Sequence, residues 1–366
     1  MVIGNYVVDK QFSQLGHAKW LANEMPKEGF DVKLVSPPKI VGGGTGEIGK
    51  WRGYVDKYVL FPANLRKASR EFDLVHIADH SNVMYGNHSS VPWGVTLHDL
   101  IPQRMILGEL DSMVRPSGLV LQNWIKKGLF NARWVGCVSQ ATIDDYVRLI
   151  RPDPTLCFLT PDCLYRDFHR LSSSEAEKLI TEAGFQKLLS RPFLMHIGGN
   201  NTYKNRPGYI RIADELFGMP EFKDFLFIAC GKKIDYRAQA AYEKSGLGSA
   251  FVEVESAPDD LVLALYTMAQ GLIFPSLIEG FGLPVLEAMA CGCPVFTSNR
   301  RPMTEVGGDA ARYFDPESPR DAACTIANTW KDRPRMVEEG YKQVERLSSA
   351  RSSAAYAAWY RKILVG

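Results

Sequence analysis

The sequence lacks most of the features that assign a chain quickly to a class. Charge of one sign is missing. Lys and Arg number 43 against 41 Asp and Glu, a formal net charge of +2 over 366 residues. No strong field therefore draws the chain to nucleic acid, and no nucleic-acid partner is expected. A disulfide framework is missing too. The seven cysteines are odd in number and irregularly spaced, which suits a reducing cytoplasm. Cys291 and Cys293 are the one close pair, and with no CxxC or His pair nearby they read as buried thiols rather than half a zinc site. The opening MVIGNYVVDKQ has no basic segment followed by an apolar one, so no secretory leader is expected. The stretch Leu261–Ile278 is uncharged for eighteen residues, yet Thr267, Gln270, Gly271, Pro275 and Ser276 interrupt it. It reads as a helix over 261–269 and a buried strand over 271–274, with no transmembrane span. There is no tandem repeat at solenoid period and no low-complexity tract.

What is present is a folded, two-domain chain. The hydrophobic fraction is 46% and the charged fraction 23%, and the length suits two domains of about 170 residues each. Short apolar runs alternate with helical patterns. Candidate strands are 32–35, 74–78, 91–97 and 134–138 in the first half, and 193–197, 225–229, 271–274 and 294–297 in the second. Runs this apolar suit parallel sheets covered on both faces, joined by right-handed βαβ crossovers. Ser139 stands where a strand ends and a helix over 143–150 begins. Ser174 with Glu177 reads as a capping box for a helix stopped by Gly184. The polar segment 166–174 is the expected domain boundary. Ligands of such sheets bind beyond the carboxyl ends of the strands, which directs attention to the strand-to-helix loops.

One loop stands out: PSLIEGFGLPVLEAMACGCPV, Pro275 to Val295. A strand leads into Gly280 and Gly282, Pro284 suits a first helical turn, and Gly292 followed by Pro294 suits the stop. Glycines let a backbone approach a ligand and expose N–H groups. With a helix N-terminus they form an anion cradle. Glu279 precedes the cradle and Glu287 lies in the first turns of the helix. Carboxylates partner phosphate poorly but accept hydrogen bonds from hydroxyls. A ligand with a diphosphate between two hydroxyl-rich ends fits, and a nucleotide sugar is such a ligand.

This segment resembles the signature of the retaining, group-one (family four) glycosyltransferases of the GT-B fold. Glu279 to Ala290, Gly292, Pro294 and Val295 match almost without departure, and the likeness continues through Glu305-Val306-Gly307 and Phe314-Asp315-Pro316. The resemblance implies an α/β chain of two Rossmann-like, doubly wound domains facing a central cleft. An acceptor-side domain would span 1–168, a donor-binding domain 169–345, and a helix over 346–366 would pack back on the first domain. It implies that Glu287 holds the donor ribose, that Glu279 contacts the transferred sugar, and that backbone N–H groups from Gly280 through Phe281 and Gly282 to Leu283 face the sugar and diphosphate. In HIGGNNTYKNR, starting at His196, the family's loop after the strand supplies cations to the leaving diphosphate. Gly198, Lys204 and Asn205 match it. Family members often carry an arginine where this chain has Gly199 or Tyr203, and either Arg206 substitutes or the second cation comes from elsewhere.

In the first half, His98-Asp99 follows a strand, as the resembling family's His-Asp pair does. His98 is expected at the transferring sugar or acceptor hydroxyl, accepting or relaying a proton. The alternative is a histidine that only caps a strand end. His80 and Asp99 are placed on the acceptor side. The first loop, Asp9 to Gly16, has one glycine where relatives often have two, and either Ser13 and Gly16 do that work or the entry is shaped differently. Gly42 to Gly46 reads as a flexible loop. Residues 50–70 interleave Lys50, Arg52, Lys57, Arg66, Lys67 and Arg70 with Trp51, Tyr54, Tyr58 and Phe61. The first reading is an ordinary amphipathic helix interrupted at Pro62, and the second a peripheral contact with an anionic membrane.

The resemblance thus implies a retaining hexosyltransferase of the cytoplasm. It would use a GDP- or UDP-linked donor and a carbohydrate or lipid-linked acceptor, with no dissociable cofactor. With no Asp-x-Asp triplet in the chain, no metal is expected. A non-catalytic sugar-nucleotide-binding subunit and a nucleotide-sugar epimerase of the same architecture stay open.

Overall fold

The computed structural model describes residues 1–9, 12–42, 46–111 and 114–365, with the backbone alone at 12, 46–48 and 50. Most of the glycine-rich loop 42–46, and Lys10 and Gln11 of the first loop, lie outside the described residues. Two compact units result. One comprises Met1–Glu109, Met113–Arg166 and Ser349–Gly366, the other Leu110–Ser112 and Asp167–Ser348.

The sheet of the first unit contains β1 (Val2–Ile3), β2 (Leu34–Val35), β3 (Val75–Ile77), β4 (Trp93–Leu97), β5 (Trp134–Cys137) and β6 (Cys157–Leu159). They pair in the order β2-β1-β3-β4-β5-β6, all parallel. Successive side chains point to opposite faces. Ile3, Val75, Ile77, Val95, Leu97 and Val135 therefore face one core, while Val2, Leu74 and Ala78 face another. The first core is covered by α3 (Phe61–Ala68), α5 (Pro116–Asn131) and α6 (Gln140–Leu149). The second is covered by α1 (Phe12–Glu24) and α15 (Ser349–Val365). Helices α2 (Gly46–Val55) and α4 (Ile101–Ile106) complete the unit.

The C-terminal helix α15 is fixed by large buried rings. Gly94 on β4 and Gly136 on β5 leave room for Trp359. A Cβ at Gly94 would sit 2.8 Å from the Trp359 ring. Below it, His76 Nε2 lies 2.8 Å from Thr96 Oγ1, and its Nδ1 bonds the Tyr360 hydroxyl. Tyr356 OH lies 3.1 Å from both Thr96 Oγ1 and His17 Nε2. Burial holds His76 well below its ordinary pKa, with His17 adding to the effect, so the ring is neutral.

The sheet of the second unit runs β12-β11-β10-β7-β8-β9, again all parallel. Its strands are β7 (Phe193–Gly198), β8 (Leu226–Gly231), β9 (Phe251–Glu255), β10 (Gly271–Phe274), β11 (Val295–Ser298) and β12 (Ala311–Phe314). Between and beyond them run α7 (Ser173–Glu182), α8 (Arg206–Phe217), α9 (Tyr236–Glu243), α10 (Asp259–Met268), α11 (Leu283–Ala290), α12 (Met303–Gly307), α13 (Pro319–Asn328) and α14 (Arg333–Arg346). One face packs a core of Leu194, Phe227, Ile273 and Phe296 against α8 and α13.

Two local expectations change. The capping box is Ser172 with Glu175, not Ser174 with Glu177. Glu175 Oε2 accepts from Ser172 N at 3.0 Å, and this register turns Ala176 and Ile180 inward together. Pro62 does not interrupt the helix over 50–70. A π-helical turn over Asp56–Leu60 precedes it, and Pro62 falls in the first turn of α3, where no N–H is required. That turn also buries Asp56, whose carboxylate accepts from the backbone of Ile40, Val41 and Gly42 at 2.8–3.0 Å and from Tyr6 OH at 2.8 Å. Among the described residues, no helix is long and apolar enough to cross a membrane.

Candidate functional site

In the second unit, the β7–α8 loop and the β10–α11 loop meet at one ion pair. Lys204 Nζ donates to Glu279 Oε1 at 2.7 Å, and the two side chains are 18% and 9% exposed. The buried Ser276 hydroxyl lies 2.6 Å from the same carboxylate oxygen and 2.9 Å from Tyr203 O. The Lys204 ammonium also sits 5.3 Å from the centre of the Phe274 ring. Glu279 is thus oriented from behind, and its cation is held without being sealed from solvent.

The loop that carries Lys204 is tied down on both sides. Asn205 adopts a left-handed conformation (φ 50°), tolerated because its own side chain satisfies the turn. Its Oδ1 accepts from Gly208 N at 3.1 Å, and its Nδ2 donates to Pro275 O at 3.1 Å and Pro316 O at 3.0 Å. On the other side Arg237 donates to Thr202 Oγ1 at 2.7 Å and to Asn200 O at 2.9 Å, while Asp235 pairs with it at 2.7 Å.

Arg206 corrects an expectation. It is 2% exposed, and its Nη1 donates to Asn200 Oδ1 at 2.8 Å and to the Lys232 carbonyl. Its Nε and Nη2 are buried without a hydrogen-bond partner. As the first residue of α8 it acts as a strut between the β7–α8 and β8–α9 loops, and its burial keeps it from replacing the missing arginine at a diphosphate.

The β10–α11 loop has the glycine turn and helix start read from its sequence. Gly282 is the N-cap of α11 at φ 104°, a conformation that favours glycine, and no side chain caps the helix. Pro284 lies in the first turn. Gly280 and Leu283 are half-buried, whereas the Phe281 ring is packed away at 6% exposure. Glu287 is half-buried one turn into α11, 3.4 Å from the hydroxyl of buried Tyr266. Gly198 ends β7 beside this loop's scaffold.

In the first unit His98 and Asp99 end β4. His98 Nε2 lies 2.9 Å from Ala78 O and Nδ1 lies 3.8 Å from Asp162 Oδ2. Burial disfavours its charge, but Asp162 and Asp79 outweigh that and raise its pKa to about 9. The expected proton-accepting role therefore does not fit. At neutral pH the ring already carries its proton, with Nε2 directed at Ala78 O and Nδ1 at Asp162, so it acts as a fixed positive charge. His17, 4.8 Å away centre to centre, is pushed the other way to about 4, by burial first and by the His98 charge second. Burial works against ionisation of Asp162, yet His98, His17 and Tyr165 hold it below the usual carboxylate range.

Asp99 precedes α4 and accepts from Ile101 N at 3.0 Å. His80 is buried beside Asp79 at 3.4 Å. Asp79 itself is held by Asn5 at 2.5 Å and by the Ser81 amide at 2.9 Å. Ser13 and Gly16 belong to α1 rather than to a loop: Ser13 is exposed in its first turn and Gly16 half-buried. The sequence reading did not single out Asp162, Asp79, His17, Ser276 or Arg237. Asp162 follows a three-residue strand that leaves no apolar run to mark it.

Comparison with known proteins bears most directly on the second unit. Residues 183–344 match the family described as "Glycosyl transferases group 1". O-antigen chain mannosyltransferase B of Escherichia coli is 43% identical over 75 residues, 20% of each chain. The 2-deoxystreptamine N-acetyl-D-glucosaminyltransferase of Streptomyces fradiae is 30% identical over 170 residues, 46% of this chain and 39% of that one. The matches thus span from about a fifth to two fifths of those relatives. Among solved structures, sucrose-phosphate synthase from Thermosynechococcus elongatus superposes with a TM-score of 0.74 at 16% identity, covering 100% of this chain and 98% of that one. Anabaena HepE in complex with UDP and glucose gives 0.65 at 17% identity, covering 94% and 89%. The fold is therefore GT-B, with two α/β units each built on a six-stranded parallel sheet.

Proposed function

We propose that this chain is a retaining glycosyltransferase that moves a hexosyl group from a GDP- or UDP-linked donor to an acceptor hydroxyl in glycan or glycolipid biosynthesis. The observation that carries the reading is the Lys204–Glu279 pair at 2.7 Å beside the uncapped N-terminus of α11. Such a pair is suited to partner exchange. A donor diphosphate offers Lys204 more negative charge than one carboxylate does, so the ammonium transfers to the phosphate. Glu279, still held by Ser276, is then free to accept a hydrogen bond from a hydroxyl of the transferred sugar. Glu287, one turn further along α11, is placed for the ribose hydroxyls. The similarity to mannosyltransferases and an N-acetylglucosaminyltransferase supports sugar transfer as the reaction class.

Chemically, the bond from the anomeric carbon to the phosphate oxygen breaks and its electron pair stays on the phosphate. Lys204 and the α11 amides offset that charge as it forms. The acceptor oxygen attacks from the same face, and its proton passes to the departing phosphate, giving retention. His98, as imidazolium with both N–H groups turned to Ala78 O and Asp162, contributes positive charge rather than a base. We place the enzyme in the cytoplasm, with a carbohydrate or lipid-linked acceptor at the inner face of the membrane. The exposure of Trp51, Tyr54 and Val59, at 69%, 45% and 59%, supports a peripheral contact through residues 50–70.

The competing reading is a sugar-nucleotide-binding subunit, favoured by the burial of Arg206. A thermal-shift screen over UDP, GDP, ADP and their sugars, followed by detection of released nucleoside diphosphate, separates the two. The enzyme reading expects both stabilisation and turnover with one donor. Stabilisation without release by any donor contradicts it.

A further inference from the structure

We propose that the outer face of α5 is a second membrane-docking surface that grips the phosphate-rich headgroup layer of an anionic bilayer. The inference rests on the peripheral reading given above and assigns it an element that reading does not include. Helix α5 is amphipathic in the usual sense on its inner side. Ile125 and Leu129 are buried, and Gly128 packs so closely on Val83 that a Cβ there would lie 2.5 Å from its Cγ1. Tyr146 OH adds a bond to Leu129 O at 3.2 Å. This contact fixes the rotation of the helix about its axis.

The opposite side ought then to be polar, and it is not. Leu119, Val120 and Trp124 are 39%, 54% and 54% exposed, and Val120 and Trp124 share a stripe at a spacing of four. Next to them a shallow groove of about 750 Å³ is lined by Asn123, Lys126, Lys127, Phe130 and Asn131. Two exposed ammonium groups and two amides beside apolar rings match a phosphate headgroup above its acyl chains.

Charge singles out the same segment. From Val114 to Ile143 the chain contains no Asp or Glu, but it contains Arg115, Lys126, Lys127 and Arg133. The neighbouring α6 is an ordinary solvated surface by contrast, with Asp145 and Arg148 paired at 2.9 Å and Glu109 bonded to Arg148 at 2.6 Å. Phe61 and Leu65 of α3 share one buried core with Ile125 and Leu129, so the 50–70 segment and α5 cover the same side of the sheet. A flat partner meeting one meets that side as a whole.

The test is co-sedimentation of the full chain with vesicles of phosphatidylcholine alone and of phosphatidylcholine mixed with phosphatidylglycerol, over a salt series. The expected result is binding to the anionic vesicles that weakens with salt and is absent on neutral ones. Reversing two charges with Lys126→Glu and Lys127→Glu together should lower the partition coefficient on the order of tenfold or more. Trp124→Ser should lower it several-fold, and Lys178→Glu on the second unit should leave it unchanged. Thermal unfolding of each variant checks folding separately. Equal binding to both vesicles, no binding, or anionic binding indifferent to the α5 changes overturns the proposal. So does a dimer in light scattering that Trp124→Ser dissolves, which would give the face to a second copy. The vesicle assay uses no donor and the nucleotide-release assay no vesicle, so failure here is distinguishable from failure of the transfer reading.

Discussion

Each unit of this chain sets a cation against a carboxylate near the carboxyl ends of a parallel sheet, and the two pairs are built to opposite ends. Lys204 and Glu279 meet at 2.7 Å with both side chains in reach of solvent. His98 and Asp162 sit at 3.8 Å inside a web of Asp79, His17 and Tyr165 that shifts the pKa of each member. The first pair can exchange partners because the Ser276 hydroxyl keeps Glu279 hydrogen-bonded when the ammonium leaves. The second cannot, because a buried charge left alone costs several kcal/mol. The fold thus supplies the same location twice, and with the two pairs about equally exposed, 18% and 9% against 13% and 7%, the neighbouring charges decide whether it becomes a binding site or a fixed charge.

The largest effect that would sharpen this contrast belongs to Lys204→Ala. Removing a cation that stabilises developing charge should cost on the order of 10²–10³ in kcat, with only a modest fall in thermal stability, since Ser276 still bonds the Glu279 carboxylate. A large fall in Tm with an unchanged rate constant would break the comparison.

His98→Gln should do the reverse, lowering stability by about 3 kcal/mol because Asp162 loses its charged partner. The pH dependence follows. His98 titrates at about 9 folded against 6.5 ordinarily. Its contribution is therefore complete below 6.5 and is lost as pH rises towards 9. His17 is depressed to about 4, so it destabilises the fold as pH falls from 6.5 towards 4. Denaturant unfolding of the first unit should be most stable near pH 6.5, and His98→Gln should flatten the alkaline limb and, by removing a charge that depresses His17, soften the acid limb to a lesser degree. An alkaline limb equally steep in the variant would contradict the pairing.

Asn205→Ala should be smaller. It removes the turn's hydrogen bonds and leaves a left-handed alanine, about 1–2 kcal/mol together. The loop carrying Lys204 loosens, so the loss should appear in both Tm and kcat. Asn205→Gly should recover part of the former through backbone freedom without restoring the latter.

The cradle of the second unit was legible in the sequence because its requirements are local. Gly282 must be left-handed, Pro284 must start a helix, and two carboxylates eight residues apart must flank the turn. Those constraints leave their mark on consecutive residues. Three of the strands that escaped notice, 157–159, 251–255 and 311–314, lie at sheet edges; the first is only three residues long and the other two are broken by charge. Arg206 was misplaced for a related reason. Its spacing from Lys204 says nothing about which side of the loop it faces, and only the carbonyl of Lys232 and the side chain of Asn200 decide that. The His98 environment depends on Asp162, 64 residues away (162 − 98), and on His17 from another helix. No local pattern carries such long-range electrostatics.

Partner exchange at Lys204 is tested most directly by the affinity of the sugar-free nucleoside diphosphate, measured calorimetrically for the wild type, Glu279→Gln and Lys204→Ala. If Glu279 competes with phosphate for the ammonium, Glu279→Gln binds the nucleotide as tightly as wild type or several-fold tighter while losing transfer, and Lys204→Ala binds it far more weakly. If Glu279→Gln weakens nucleotide binding as much as Lys204→Ala does, the carboxylate is part of the phosphate site itself and the exchange does not occur.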